Sequence, residues 1–279
     1  MAYMITAAQY RDEWTHEFQR GETYLKDTVT KETIINGHSS ATFAIAGQSS
    51  GMSERGVNGL IPTRNANDRQ VPVPLKEKHS LENQTNFNVF TAQSGKLREV
   101  MQKRSRMDAA REIDDEIIRA LTTATNVYNS GTAITMTLGR MVDIVSELWE
   151  GNVDERVTFL HTPKSWARLL LMPNFTSSDY VDRKPLMQDA PRPVIYANAW
   201  HMLHNGLPGR TGATAQMFVY AKSAVGHALA TDEIKVAAGY NEEQDYSWDR
   251  ATIYHGAAIL QQAGVLKIIH DDNAALPTT

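Results

Sequence analysis

No cysteine occurs among the 279 residues of the sequence. Disulfides, thiolate metal sites and cysteine nucleophiles are therefore excluded, and stability has to come from packing and association. There is no stretch of about 18 consecutive apolar residues, and residues 1–8 have no basic region leading into an apolar core. The expectation is a soluble product made in a cytoplasm, with no membrane partner. Charge of one sign is also scarce: 28 basic residues against 32 acidic give a net charge of −4, without a run of like charges long enough to form a tail. Tight wrapping of nucleic acid is thereby excluded. Neither an HExxH zinc motif nor an internal repeat is present.

What is present is ordinary globular usage, 42% apolar and 22% charged, so the chain should fold. Its length is generous for one compact core and short for two full domains, which predicts one body with sizeable excursions.

Thr6 and Gln9 form a capping box, and Tyr10, Trp14 and Phe18 follow on one helical stripe that needs a surface to lie on, its own domain or a neighbouring subunit. Residues 41–46 alternate with Phe43 and Ile45 on one side, as a short strand does. Residues 47–70 lose all periodicity, and residues 71–75 resume extended structure with Pro72 and Pro74, which restrict that strand to an edge or a projection. The spacing predicts a long two-stranded excursion with a mobile tip. A strand over 81–90 then precedes a strut helix of about 30 residues, or ~45 Å, with Val100, Met101, Ile113, Ile117 and Leu121 on one face. Its opposite face is charged, with Glu99 to Lys103 and Asp115 to Arg119 as favourable pairs.

Clear punctuation follows. Thr137 caps a helix ended by Gly151, residues 157–160 form a buried strand, and Thr162-Pro163 opens a helix containing Trp166, Leu169 and Leu170. Residues 174–193 read as a polar loop, and strands are expected at 194–196, 217–220, 248–254 and 265–269. Helices and strands intermix, so the fold class is α+β.

Gly47-Gln48-Ser49-Ser50-Gly51 matches the GxSxG nucleophile elbow after a strand, but residues 52–67 lack the helix that such an elbow needs to hold its strained turn. A serine hydrolase using Ser49 is the alternative from another class, and fluorophosphonate labelling discriminates it. His201 and His204 are three apart without a nearby carboxylate and read as a loop or surface pair. Glu112, Asp114, Asp115 and Glu116 could bind a divalent cation or orient a basic neighbour, and read first as a solvated helix face. Gly206, Gly209 and Gly212 depart from GxGxxG order and read as a turn. No catalytic, cofactor or metal residue is assigned.

The order of elements is an amphipathic arm, a long β excursion, a strut helix, a compact α/β lobe and a return strand. With it, Ala109-Ala110-Arg111-Glu112-Ile113-Asp114-Asp115-Glu116-Ile117-Ile118 resembles the spine helix of tailed-bacteriophage major capsid proteins with the Hong Kong 97-like fold. Arg156-Val157-Thr158-Phe159-Leu160-His161-Thr162-Pro163 is similar to the strand-into-helix step of their axial domain. Ala221-Lys222-Ser223-Ala224-Val225-Gly226 resembles a strand end there, and His255-Gly256-Ala257 with Gly264-Val265-Leu266 the closing segment. The resemblance implies an N-arm at 1–35, an E-loop at 36–82, a P-domain at 83–130 and 236–254 with the spine helix at about 96–125, and an A-domain at 131–235 and 255–279.

It further implies a structural, non-enzymatic subunit of the virion that assembles with itself in pentamers and hexamers around double-stranded DNA, contacted non-specifically. A wall that neutralised phosphates would hold the polymer, so a net negative chain suits a container. A separate scaffold protein, a portal and a decoration protein are the other implied partners, because no long scaffolding region precedes the arm. An encapsulin-type compartment with the same fold is the nearer alternative. Tyr10, Trp14, Phe18, Arg55, Arg64, Arg69, Asp115, Arg119 and Arg210 are the candidate intersubunit contacts, since apolar stripes and arginine forks serve at interfaces.

Overall fold

The computed structural model describes residues 23–34, 38–48, 51–52, 54–55, 59, 67–85, 97–177, 193–230 and 235–277. Its longest element is helix α1, Leu97–Thr122. At 1.5 Å per residue this is a rod of roughly 39 Å, somewhat shorter than expected because residues 123–124 turn back through 3₁₀-type bonds to Ala120 and Leu121. Met101, Ile113, Ile117 and Leu121 are buried along one face, as their spacing predicts.

That face lies on a five-stranded sheet whose central strand is β11, Tyr246–Ile259. The sheet also contains β1 (Thr30–Ile34), β4 (Lys76–Thr85), β9 (Val225–Ala230) and β10 (Lys235–Asn241). The first half of β11 is flanked by β10 on one side and β4 on the other, and its last five residues pair with β9, which in turn carries β1 in parallel. The alternation at 248–254 is thus part of a strand twice as long.

Strands β9 and β10 are not anticipated from the sequence, and β4 starts at Lys76 where a strand from Leu81 is expected. The reason is physical. Lys76, Lys78, Ser80 and Glu82 point at the charged face of α1, so the inward residues of β4 are polar and its periodicity is hidden.

A second sheet has the order β12 (Val265–His270), β8 (Ala215–Ala221), β5 (Val157–His161), β7 (Ala199–Leu203) and β6 (Val194–Tyr196). All five residues of β5 are buried, as a central strand requires. Helix α2, Leu138–Glu150, starts where the Thr137 side chain accepts from the Arg140 N–H at 3.4 Å. Helix α3, Pro163–Leu170, starts where the Thr162 side chain accepts from the Ser165 N–H at 3.2 Å, with proline at its first position. A short helix α4, Pro173–Thr176, lies inside the expected polar loop. Met141, Ile144, Val145 and Leu148 of α2 and Trp166 and Leu169 of α3 join Phe159, Phe218 and Ile117 in one continuous core.

The excursion is the antiparallel pair β2 (Ser40–Ile45) and β3 (Arg69–Pro74). Phe43 and Val73 bury its inner side against Ile34, Ala228 and Leu260, and Pro72 and Pro74 face outward. The approach is close: a Cβ on Gly256 would stand 2.2 Å from the Pro74 carbonyl oxygen. At Gly47 a Cβ would meet the Asn67 backbone at 2.2 Å, and the Gly47 N–H donates to Asp68 at 2.8 Å, so the two strands close in a neck. The root of the excursion is therefore packed on the body.

Candidate subunit-contact surfaces

Asp114 is fully buried in α1 and collects three donors. The Tyr24 and Leu25 backbone N–H groups donate to its two oxygens at 3.1 Å each, and His204 Nε2 stands 3.3 Å from one of them. His204 Nδ1 accepts from the Gly206 N–H at 3.1 Å, which puts the imidazole proton on Nε2, facing the carboxylate. Thr28, a turn later, shares a 2.5 Å bond with the buried Tyr220 hydroxyl on β8. One carboxylate thus ties the segment leading out of the N-terminal residues to the strut and to the loop after β7. Asp114→Ala should cost roughly 2–4 kcal/mol, because two backbone donors and an imidazole are left buried without an acceptor. Thermal melting and the rate of proteolytic clipping near Tyr24 check this; unchanged clipping would show that the segment is held elsewhere.

The reading of the acidic cluster as a solvated face is corrected here. Asp114 and Glu116 are buried, and Glu116 accepts from Lys76 at 2.6 Å and pairs with Arg119. Further along, Lys78 meets Glu112 at 3.5 Å, Ser80 donates to Asp108 at 2.9 Å, and Arg104 donates to Glu82 at 2.8 Å. These form a ladder between β4 and α1. The acidic residues orient basic neighbours, one of the two roles weighed for them from sequence.

His201 and His204 are likewise corrected: both are buried, on and just after β7, and His204 has Asp114 as its carboxylate. His201 Nε2 is 3.2 Å from the Tyr196 carbonyl, so it donates there and its Nδ1 accepts from His161 Nε2 at 2.8 Å. His161 Nδ1 then accepts from the Ser165 hydroxyl at 3.0 Å. The chain is complete with both rings neutral, and Phe159 stacks on His161 at 4.2 Å. Burial lowers His201 to about 4 and His161 well below its usual range. A second buried pair, His227 and His255, joins β9 to β11 at 3.4 Å, each lowered to about 4 mainly by burial. Among the described residues, no three His, Asp or Glu side chains are grouped to hold a metal.

Of the candidate contacts, Asp115, Arg119 and Arg210 line one groove of about 1230 Å³ between α1 and the loop after β7, together with Tyr24, Leu207 and Pro208. Arg69 donates to the Leu260 carbonyl at 2.8 Å within its own chain, and Arg55 is exposed in the excursion. Tyr10, Trp14, Phe18, Arg64 and Ser49 lie outside the described residues. Val142 and Trp149, half exposed on the outer side of α2, form an apolar stripe not singled out from sequence, although their spacing of seven was visible there.

No curated protein matches the sequence. Solved structures do match its fold: the capsid of cyanophage P-SCSP1u at a TM-score of 0.73 and 14% identity, covering 94% of this chain and 92% of that one. Mycobacterium phage Che8 gives 0.70 and 15%, covering 93% and 95%, and the capsid of Ralstonia phage GP4 gives 0.69 and 11%, covering 100% of both. A family model described as phage capsid protein matches residues 3–272. The chain belongs to the phage capsid protein family.

Proposed function

We propose that this chain is the repeating subunit of a phage head, arranged in pentamers and hexamers that close an icosahedral shell around double-stranded DNA. That it is a capsid protein, with the virion as its place, follows from its family, and the match over residues 3–272 carries the reading. The finer parts are ours. A separate scaffold and a portal guide assembly in the host cytoplasm, a decoration protein completes the surface, and the DNA is touched without sequence preference, in keeping with a net charge of −4. The division into N-arm (1–35), E-loop (36–82), P-domain (83–130 and 236–254) and A-domain (131–235 and 255–279) is supported by the packed neck of the excursion and by the strut lying along β11. The subunit acts by association, and many modest interfaces add through multivalency.

Expressed alone or with a scaffold, the protein is expected to sediment as rings or closed shells visible by electron microscopy. A single monomer boundary at every concentration, with no shell on adding a scaffold, would remove the capsid function.

A further inference from the structure

The sheet under α1 has two differently built margins. On one side β4 carries Lys76, Glu77, Lys78 and Glu82, the kind of charge that keeps an edge from pairing with another chain. On the other, β10 reads Lys-Val-Ala-Ala-Gly-Tyr-Asn, uncharged from Val236 to its end, and among the described residues it pairs only with β11. Val236, Ala238 and Tyr240 stand opposite Ala251, Asp249 and Ser247, so they share the sheet face that α1 covers. Burial stops one strand short of them. Asp249 and Ala251 are buried, whereas Val236 is 39% and Tyr240 47% exposed. The reverse face is already occupied, because the Trp248 ring lies where a Cβ on Gly239 would be, 2.6 Å away.

We propose that β10 pairs antiparallel with β10 of a second copy of this chain, about a two-fold axis at Ala238. The proposal rests on the capsid reading. This register sets Val236 against Tyr240 twice, Ala237 against Gly239 twice, and Lys235 against Asn241 twice. Each Lys235 then lies beside the exposed Glu242 and Glu243 of the other copy, an opposite-charge pair at both ends. The neighbouring registers are poorer. Centring on Ala237 puts Tyr240 opposite Ile234, beyond the end of β10, and Val236 opposite only Ala238; centring on Gly239 puts Val236 against Glu242. A two-fold contact is also self-limiting, since it uses both free edges and leaves none to propagate a fibre.

The test uses the absence of native cysteine. In shells purified by sedimentation, Ala238→Cys should oxidise to a covalent dimer on a non-reducing gel, because facing residues of an antiparallel pair lie about 4.5–5.5 Å apart at Cα. Independently, Lys235→Glu should lower shell yield, and adding Glu242→Lys and Glu243→Lys to it should restore the yield, with the circular dichroism of the subunit unchanged throughout. Intact shells that give neither the dimer nor the rescue overturn the two-fold pairing and leave the capsid reading standing. Ala238→Cys joining only to a cysteine placed at Leu81 on β4 also overturns it, in favour of head-to-tail contact. Failure of the unaltered chain to form shells takes down both.

Discussion

Replacing residues 51–66 by a short glycine-serine linker is expected to leave the melting of the free subunit nearly unchanged and to abolish closed shells. Of the described residues in that stretch, Met52, Glu54 and Arg55 are all exposed, so nothing among them contributes to the subunit core. The neck is different. Phe43 and Val73 are buried, each worth about 1.5–3 kcal/mol, and Arg69 and Asp68 are hydrogen-bonded inside the chain, so the replacement must stop short of Asn67. With the neck closed, shortening the loop changes closure entropy by only about 0.6 kcal/mol per halving of its length. Assembly is affected if the excursion reaches a neighbouring subunit. Amide exchange gives the second measure: the exposed residues should exchange fast in free subunits and slowly in shells. Normal shells from the shortened chain would mean that the excursion is no intersubunit arm.

Acid should destabilise the subunit strongly, through histidines held neutral by burial. His201, His227 and His255 have folded values near 4 against an ordinary 6.5, and His161 and His270 are lowered as well. A depressed imidazole value means that the unfolded chain binds more protons, so the stabilisation is complete above about pH 6.5 and is lost as pH falls toward 4. Between pH 7 and pH 5 each of the three contributes a loss of about 2 kcal/mol, a large share of a total of about 5–15 kcal/mol. The geometry explains why protonation is resisted. A proton on His201 Nδ1 would face the His161 N–H at 2.8 Å, and His227 has Lys26 and Lys31 among its nearby charges. The melting temperature should fall by on the order of 10 °C over that range. In a His227→Gln and His255→Gln double variant the fall should be roughly halved or less. A flat profile for the unaltered protein would show that these rings are not held neutral.

The parts of this fold that were legible in the sequence are those whose causes are local. Thr137, Gly151 and Thr162-Pro163 mark helix ends with their own side chains and backbone, and α2 and α3 begin at the expected residues. The buried stripe of α1 is written in its 3.6-residue period. What was hidden depends on residues far away in the chain. Asp114 is satisfied by Tyr24, Leu25 and His204, and Glu116 by Lys76, so an acidic run that looks solvated is half interior. His201 sits in a strand that is defined by its pairing with β5. Strand β10 is built of alanine and glycine, poor strand formers, and owes its extended state to β11 alongside. The candidate contact surface was legible in part: Asp115, Arg119 and Arg210 do converge on one groove, while the bare edge of β10 has no signature until its neighbours are known.

Strand β11 also makes the subunit mechanically directional. One continuous ribbon of 14 residues runs from the flank shared by β4 and β10 into the flank shared with β9. Tension along it loads the ten residue pairs between β4 and β11 in shear, and they must yield together. Tension across it would open the same pairs one at a time, like a zip. A wall built from such subunits is therefore stiffest along the direction in which β11 points, and the way the ribbons are oriented in the shell decides whether pressure from within stretches them or peels them apart.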